Sequence, residues 1–359
     1  MSPPSEVKAL TFHTPGDTAV RSIRLPPLRS TYMLIKVEYV ALNPTDWKHI
    51  TWGEGATPFS IMGCDYAGTV VAIGPDVTKP FNISDQVYGC AHGSNQSQAD
   101  DGAFTEYAMV KADVAMHVPA SSPTTISLTL DQLCTLPLGS ITVGQGLFQP
   151  GEGKSLGLAW PGAGGGNGEW VFIAGGSTAT GTLGIQLAKM AGYRVITTCS
   201  PGNFDFVRSR GADEVFDYHD PDCGPRIRHL TENTLRYAWD VAYTPELCDQ
   251  ALSSDSAIAR YGTILGNEPP RLDYRSASST SMYTMFGEAF DKYEEHSPAA
   301  PEDFEFAKQW MSLIETLVAE GKLTPHPGRI ESGGLEGILA GLELLKAEKI
   351  SGEKLVYRI

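Results

Sequence analysis

The chain has 359 residues, of which 42% are hydrophobic and 19% charged, enough length and apolar material for two packed domains. Its net charge of −15 argues against nucleic acid or an anionic membrane as a broad partner, while leaving room for a local basic pocket. The longest apolar runs are strand-sized and the opening Met1-Ser2-Pro3-Pro4-Ser5-Glu6 lacks the basic and apolar regions of a secretory signal, so no membrane span and a cytoplasmic location are expected.

Taken in order, residues 7–12 and 33–40 predict strands, the second with clean alternation. Asn43-Pro44 ends it, and Thr45 or Asp46 can start a short helix. Gly63 and Gly68 frame a bend before the β-prone run 69–73, and residues 85–89 and 102–108 continue the short strands. Residues 1–120 thus read as a barrel-like β domain. A helical face carries Leu130, Leu133, Cys134 and Leu136, is broken by Pro137-Leu138-Gly139 and resumes over 140–148. Residues 150–168, rich in Gly, Pro and Ser, predict a flexible surface insertion. From Glu169 strands at 170–174, 193–198, 214–218, 236–243 and 260–266 alternate with helical segments, an α/β pattern. Residues 267–302 are expected to be irregular, 304–321 and 334–348 helical, and 354–359 a last strand.

The segment from Glu169 is the informative one. An apolar strand ends at Gly175-Gly176, Ser177-Thr178-Ala179-Thr180-Gly181 follows, and Leu183, Leu187, Met190 and Ala191 then share one helical face, with Gly192 as the stop. A right-handed crossover makes the flanking strands parallel, and the turn between strand and helix aims backbone N–H groups at a phosphate. The glycine spacing is not Gly-x-Gly-x-x-Gly, because Thr178 takes the middle place. An NAD-binding unit usually carries an acid at the end of its second strand, for the ribose 2′-hydroxyl. Here Cys199-Ser200-Pro201-Gly202-Asn203 offers none before Asp205, while Ser200 and Asn203 can donate to a 2′-phosphate and Arg208 adds charge. NADPH is therefore expected over NADH.

Asp65-Tyr66-Ala67-Gly68-Thr69-Val70, the Gly175–Gly181 turn and Ser351-Gly352-Glu353-Lys354-Leu355-Val356 are similar to the zinc-independent enoyl and quinone reductase branch of the medium-chain dehydrogenase/reductase superfamily. Cys199-Ser200-Pro201, Ser209-Arg210-Gly211-Ala212 and Glu214-Val215-Phe216-Asp217-Tyr218 resemble the trans-acting enoyl reductases that serve fungal highly reducing polyketide synthases. The resemblance implies a GroES-like β-barrel substrate domain over 1–140 and 310–359, and a Rossmann-type cofactor domain over 141–309. It implies cofactor contacts from Thr45, Asp46, Trp47, Lys48, Ser177, Thr178, Ala179, Thr180, Ser200, Asn203, Arg208, Tyr218, Leu265, Gly266, Ser351 and Gly352. Substrate contacts would come from Leu136, Gly139, Ser140, Ile141, Thr142 and Val143, and from Thr284, Met285, Phe286, Gly287 and Glu288. The implied partner is a highly reducing polyketide synthase presenting an enoyl chain on its acyl-carrier domain. The resemblance implies that many relatives dimerise by joining cofactor-domain sheets edge to edge; the irregular 267–300 stretch, where that edge should lie, could block pairing, so a monomer is expected.

Zinc enzymes of the superfamily need a cysteine near Asn43 and a histidine where Cys64 stands; a Cys64/Asp65 pair alone leaves too few ligands, and no metal is expected. The six cysteines (64, 90, 134, 199, 223 and 248) include no Cys-x-x-Cys and read as reduced thiols. Hydride transfer then needs an already polarised acceptor such as an α,β-unsaturated thioester, with the protein positioning it and stabilising the enolate. Lys48 is the candidate functional cation; Thr142, Thr45 and Tyr66 are weaker candidates for polar contacts, and the eight histidines show no constellation. Two other readings stay open: a quinone or enone reductase acting on free small molecules, and a non-catalytic NADPH-binding protein.

Overall fold

The computed structural model describes residues 3–52, 57–120, 127–266, 268–292 and 295–359. Met1 and Ser2 of the opening segment, and residues 267, 293 and 294 of the stretch expected to be irregular, lie outside the described residues. The chain divides into two compact units, Met1–Leu138 with Tyr283–Ile359, and Gly139–Met282. Residues 283–309 group with the first unit, whereas the expected boundary stood at 309/310.

The first unit is a β-barrel with helices. In chain order it holds β1 (Glu6–Thr14), β2 (Asp17–Arg24), β3 (Tyr32–Ala41), α1 (Pro44–Trp52), β4 (Ser60–Ile61), β5 (Asp65–Ile73), β6 (Gln86–Cys90), β7 (Tyr107–Lys111), β8 (Met116–His117) and α2 (Leu130–Leu133). The unit boundary falls inside α3 (Pro137–Val143). Alternation in β3 turns Met33, Ile35 and Val37 into a core with Leu10, Tyr66 and Phe104. β3 is the hub: it pairs antiparallel with β5, β7 and, later in the chain, the last strand. β2 escapes sequence reading because its side chains are only half-buried or exposed; it is held by its ladder to β1. Pro137, expected to break a helix, instead opens α3, where a proline ring costs no hydrogen bond.

The second unit is built on β9 (Trp170–Ala174), α4 (Ala179–Met190), β10 (Arg194–Cys199), α5 (Phe204–Ser209), β11 (Glu214–Asp217), α6 (Cys223–Leu230), β12 (Tyr237–Asp240), α7 (Pro245–Ala251), β13 (Arg260–Thr263) and β14 (Ser276–Ser279). Its six strands are all parallel, in the order β11-β10-β9-β12-β13-β14. That is the doubly wound Rossmann order, with its switch point between β9 and β12. Val171, Phe172, Ile173 and Ala174 are fully buried, as a strand covered on both faces requires.

The stretch 267–302 is not irregular throughout: it contributes β14, the sixth strand, and the hairpin β15 (Phe290–Lys292) with β16 (Glu295–Ser297). The ground for expecting a monomer, an irregular sheet edge, therefore does not hold. Residues 150–168 are not a loose insertion. The N–H groups of Gly162, Gly166 and Gly168 donate to the carbonyls of Met190, Ala191 and Gly192, satisfying the end of α4, and Leu156 and Leu158 are buried.

The chain then returns to the first unit with α8 (Pro301–Ala319), β17 (Gly328–Glu331), α9 (Gly334–Lys346) and β18 (Lys354–Arg358). β18 lies antiparallel to β3, with Tyr357 opposite Val40. The stripe Phe306, Trp310, Ile314 and Leu317 on α8 is buried. Among the described residues, no helix is long and apolar enough to cross a membrane.

Candidate functional site

In the second unit, four groups of implied cofactor residues follow the C-terminal ends of β9, β10, β11 and β13, so parallel pairing brings them to one edge of the sheet. The glycines of the turn after β9 are dictated by close approach. A Cβ at Gly176 would stand 2.1 Å from Thr197 Oγ1, and one at Gly181 would stand 2.2 Å from the Gly175 carbonyl oxygen. Thr178, by contrast, is kept for its side chain, which caps α4. Its hydroxyl accepts from the Gly181 N–H at 2.9 Å and donates to the Gly175 carbonyl at 2.8 Å. The middle position of the glycine pattern is thus filled by a helix N-cap, which fixes the turn while leaving the helix start facing outward.

Beyond the turn, Ser200 Oγ lies 3.4 Å from the Tyr218 hydroxyl, joining the tips of β10 and β11. Tyr218 is exposed and tilts against His219 at 4.0 Å. Arg208, on α5 after Asn203, is half exposed and 3.6 Å from the fully exposed Asp205. Asp217, at the end of β11, is engaged by the N–H and ring of His219, whose hydrogen bonds hold its carboxyl below the usual range. Leu265 and Gly266 follow β13, with the Leu265 N–H donating to Thr263 Oγ1 and Gly266 at φ +68. A glycine-shaped helix start, hydroxyls and a cation fit a nicotinamide dinucleotide. α3 reaches α4 through Gly139, where a Cβ would stand 2.9 Å from Leu183 Cδ1. Ser140, Ile141 and Val143 are fully buried and Thr142 nearly so.

In the first unit, α1 carries the implied residues Thr45 to Lys48. Asp46 is buried and closes the start of the helix, its Oδ2 accepting from the Asn43 N–H at 2.7 Å. Burial, against that hydrogen bond, raises its carboxyl to about 7. Lys48 is half-buried, 5.9 Å from the Trp47 ring, and burial lowers its ammonium. Asn43, Cys64 and Asp65, the residues compared above with zinc ligands, belong to a buried polar network. Asp65 accepts from Asn43 Nδ2 at 2.9 Å, from the Leu138 N–H at 2.8 Å and from Lys354 Nζ. Cys64 is fully buried. Among the described residues, no three His, Cys, Asp or Glu side chains are grouped to hold a metal ion. Tyr66 is a core residue, wholly buried with Phe104 and Val87, and not a donor at a surface.

The segment 284–288 packs inward. Met285 is fully buried with its Sδ 3.4 Å from Cys90 Sγ, and Phe286 stacks on His92 at 5.9 Å. Gly287, at φ +72, leaves room for Phe304. Glu288 accepts from the Tyr32 hydroxyl and from Lys111 Nζ, each at 2.7 Å. Thr284 is half-buried, Leu136 is fully buried, and Ser351 and Gly352 lead into β18.

A cluster that sequence reading passed over sits beside them. The Tyr283 hydroxyl is 3.0 Å from Thr45 Oγ1. Lys292 Nζ is 2.5 Å from His49 Nε2 and 4.1 Å from the centre of the Tyr283 ring. His92 stacks on that ring at 4.3 Å. Burial lowers Lys292 to about 8 and takes both histidines well below their ordinary value, with Lys292 adding repulsion. The cluster is joined by Lys292, which meets His49 across 243 residues of chain, while His49 and His92 each lie against Tyr283.

Two family models match the chain: the alcohol dehydrogenase GroES-like domain over residues 29–120, and the zinc-binding dehydrogenase over residues 179–269. An alcohol dehydrogenase superfamily protein from Novosphingobium aromaticivorans, 23% identical, superposes with a TM-score of 0.76 over 99% of both chains, a likeness of fold. The architecture is that of the medium-chain dehydrogenases/reductases. Trans-enoyl reductase resD of Aspergillus sclerotiorum is 36% identical over 98% of this chain and 100% of its own. The enoyl reductase component lovC of a lovastatin nonaketide synthase, from Aspergillus terreus, is 34% identical over 99% of this chain and 97% of its own. The chain belongs to this fungal trans-enoyl reductase family of the superfamily, whose fold implies a nicotinamide cofactor.

Proposed function

We propose that the protein is a trans-acting enoyl reductase that uses NADPH to reduce an α,β-unsaturated thioester carried on the acyl-carrier domain of a partner polyketide synthase. The observation that carries this reading is near-full-length similarity to proteins named trans-enoyl reductases, one of them a component of a synthase. The choice of NADPH over NADH rests on the tip of β10, where Ser200 and Asn203 replace the usual acid and Arg208 follows. The bound cofactor would supply the hydride to the β-carbon. The chain's own residues hold and orient. The start of α4 and the residues after β10 and β11 bind the cofactor, Lys48 orients the acyl carbonyl, and Thr142 is a weaker candidate for a polar contact. A preorganised donor to the enolate oxygen contributes about 2.7–4 kcal/mol in comparable sites. We take a monomer in the cytoplasm as the working form, on the ground that the outer strand of the second unit's sheet, Ser276–Ser279, is short and polar.

The test is NADPH oxidation with crotonyl and longer enoyl thioesters against quinones, with and without a partner synthase. Turnover of thioesters with NADPH, weak binding of NADH, and stimulation by the carrier-bound chain are expected. Turnover of quinones alone would refute the reading, and equal binding of NADH would refute the role of Ser200 and Arg208. Lys48→Ala is expected to keep the fold and lose thioester reduction; unchanged turnover removes Lys48 from the site.

A further inference from the structure

Reduction at the β-carbon of an enoyl thioester leaves an enolate, and its α-carbon must still take a proton. Tyr66 is sealed in the barrel core, so the acid has to come from elsewhere. Tyr283 is 7% exposed and its hydroxyl is 3.0 Å from that of Thr45, on the helix whose next residues include Lys48. Its surroundings are unusual for a core tyrosine. Two imidazoles, His49 and His92, and the ammonium of Lys292 pack on it, at 6.3, 4.3 and 4.1 Å from its ring. Burying such groups costs stability unless they are hydrogen-bonded or paired, and a cluster of this kind is a candidate for a functional site. Fully buried His49 takes the Lys292 ammonium on Nε2 and has no partner on Nδ1 among the described residues, so its visible contribution is to hold the cation in place.

We propose that Tyr283 is the acid that protonates the α-carbon, with Thr45 orienting its hydroxyl and Lys292, held by His49, lying over its ring. In the step the Tyr283 O–H bond breaks, the proton forms the new C–H bond at the α-carbon, and the electron pair stays on the phenolate oxygen. The lysine charge offsets that negative charge. Solvent returns the proton before the next turnover. Tyr283 is thus a catalytic residue, while Thr45, Lys292 and His49 act as positioning residues toward it. The inference rests on the enoyl reductase reading.

The experiment uses the full chain with NADPH and crotonyl-pantetheine in deuterated water, following rate, NADPH affinity by fluorescence titration, and the configuration of deuterium at the α-carbon. For Tyr283→Phe the rate is expected to fall by about 10²–10⁴, with NADPH affinity unchanged. The α-deuterium is expected to pass from one configuration to a mixture. Thr45→Val, which keeps the tyrosine and its packing, is expected to scramble the configuration as well and covers a Tyr283→Phe chain that does not fold. A Tyr283→Phe enzyme of near-normal rate and a single α-configuration overturns the proposal alone. A wild-type protein that reduces quinones but no thioester overturns the reading beneath it, and the proposal with it.

Discussion

Lys48 and His49 are neighbours on α1, yet only the first was legible as a functional candidate. Lys48 stands in a segment that the family resemblance picks out. The relevance of His49 is created by Lys292, which reaches it from β15, and no local pattern announces a contact made over that distance. Asp46, also marked as a cofactor contact, uses one carboxyl oxygen, Oδ2, to accept from the Asn43 N–H at the helix start. Its pKa of about 7 means that the folded chain binds a proton more tightly than the unfolded one. The sign follows: stability is greatest below the ordinary carboxylate range and is lost as pH rises towards 7. Asp46→Asn keeps an oxygen for the Asn43 N–H and carries no charge. Denaturation at pH 5 and pH 8 is expected to show the wild type losing stability relative to the variant at the higher pH.

At the level of elements, the nucleotide-binding half was readable because its signals are local. A buried apolar strand, three close-approach glycines and a 3.6-residue periodicity all fall within one βαβ unit. β14 was not readable: Ser276-Ala277-Ser278-Ser279 is short and polar, and only its ladder to β13 makes it a strand. Such an edge offers little apolar surface for a second copy, and sedimentation tests the monomer directly. Thr178 carries a measurable share of α4. Thr178→Val removes the acceptor for the Gly181 N–H and is expected to cost about 1 kcal/mol in urea unfolding, whereas Thr178→Gly costs only a few tenths.

Across the whole molecule, the first unit is assembled from both ends of the chain. Lys354 on β18 meets Asp65 on β5, both almost wholly buried. Lys354→Met removes the counter-charge and leaves the Asp65 carboxylate to Asn43 and the Leu138 N–H. A loss of about 3–5 kcal/mol is expected, read from the urea midpoint. The two partners are 289 positions apart. During synthesis at ~5–20 residues per second, Asp65 therefore waits roughly a quarter of a minute to a minute for its lysine. The Gly139–Met282 unit, continuous in sequence, emerges complete within that interval, so the nascent chain holds a finished nucleotide fold beside a barrel still missing the strands that follow. Until β18 arrives, one edge of β3 stands without its partner over residues 39–41, a stretch open to chaperones and to mispairing.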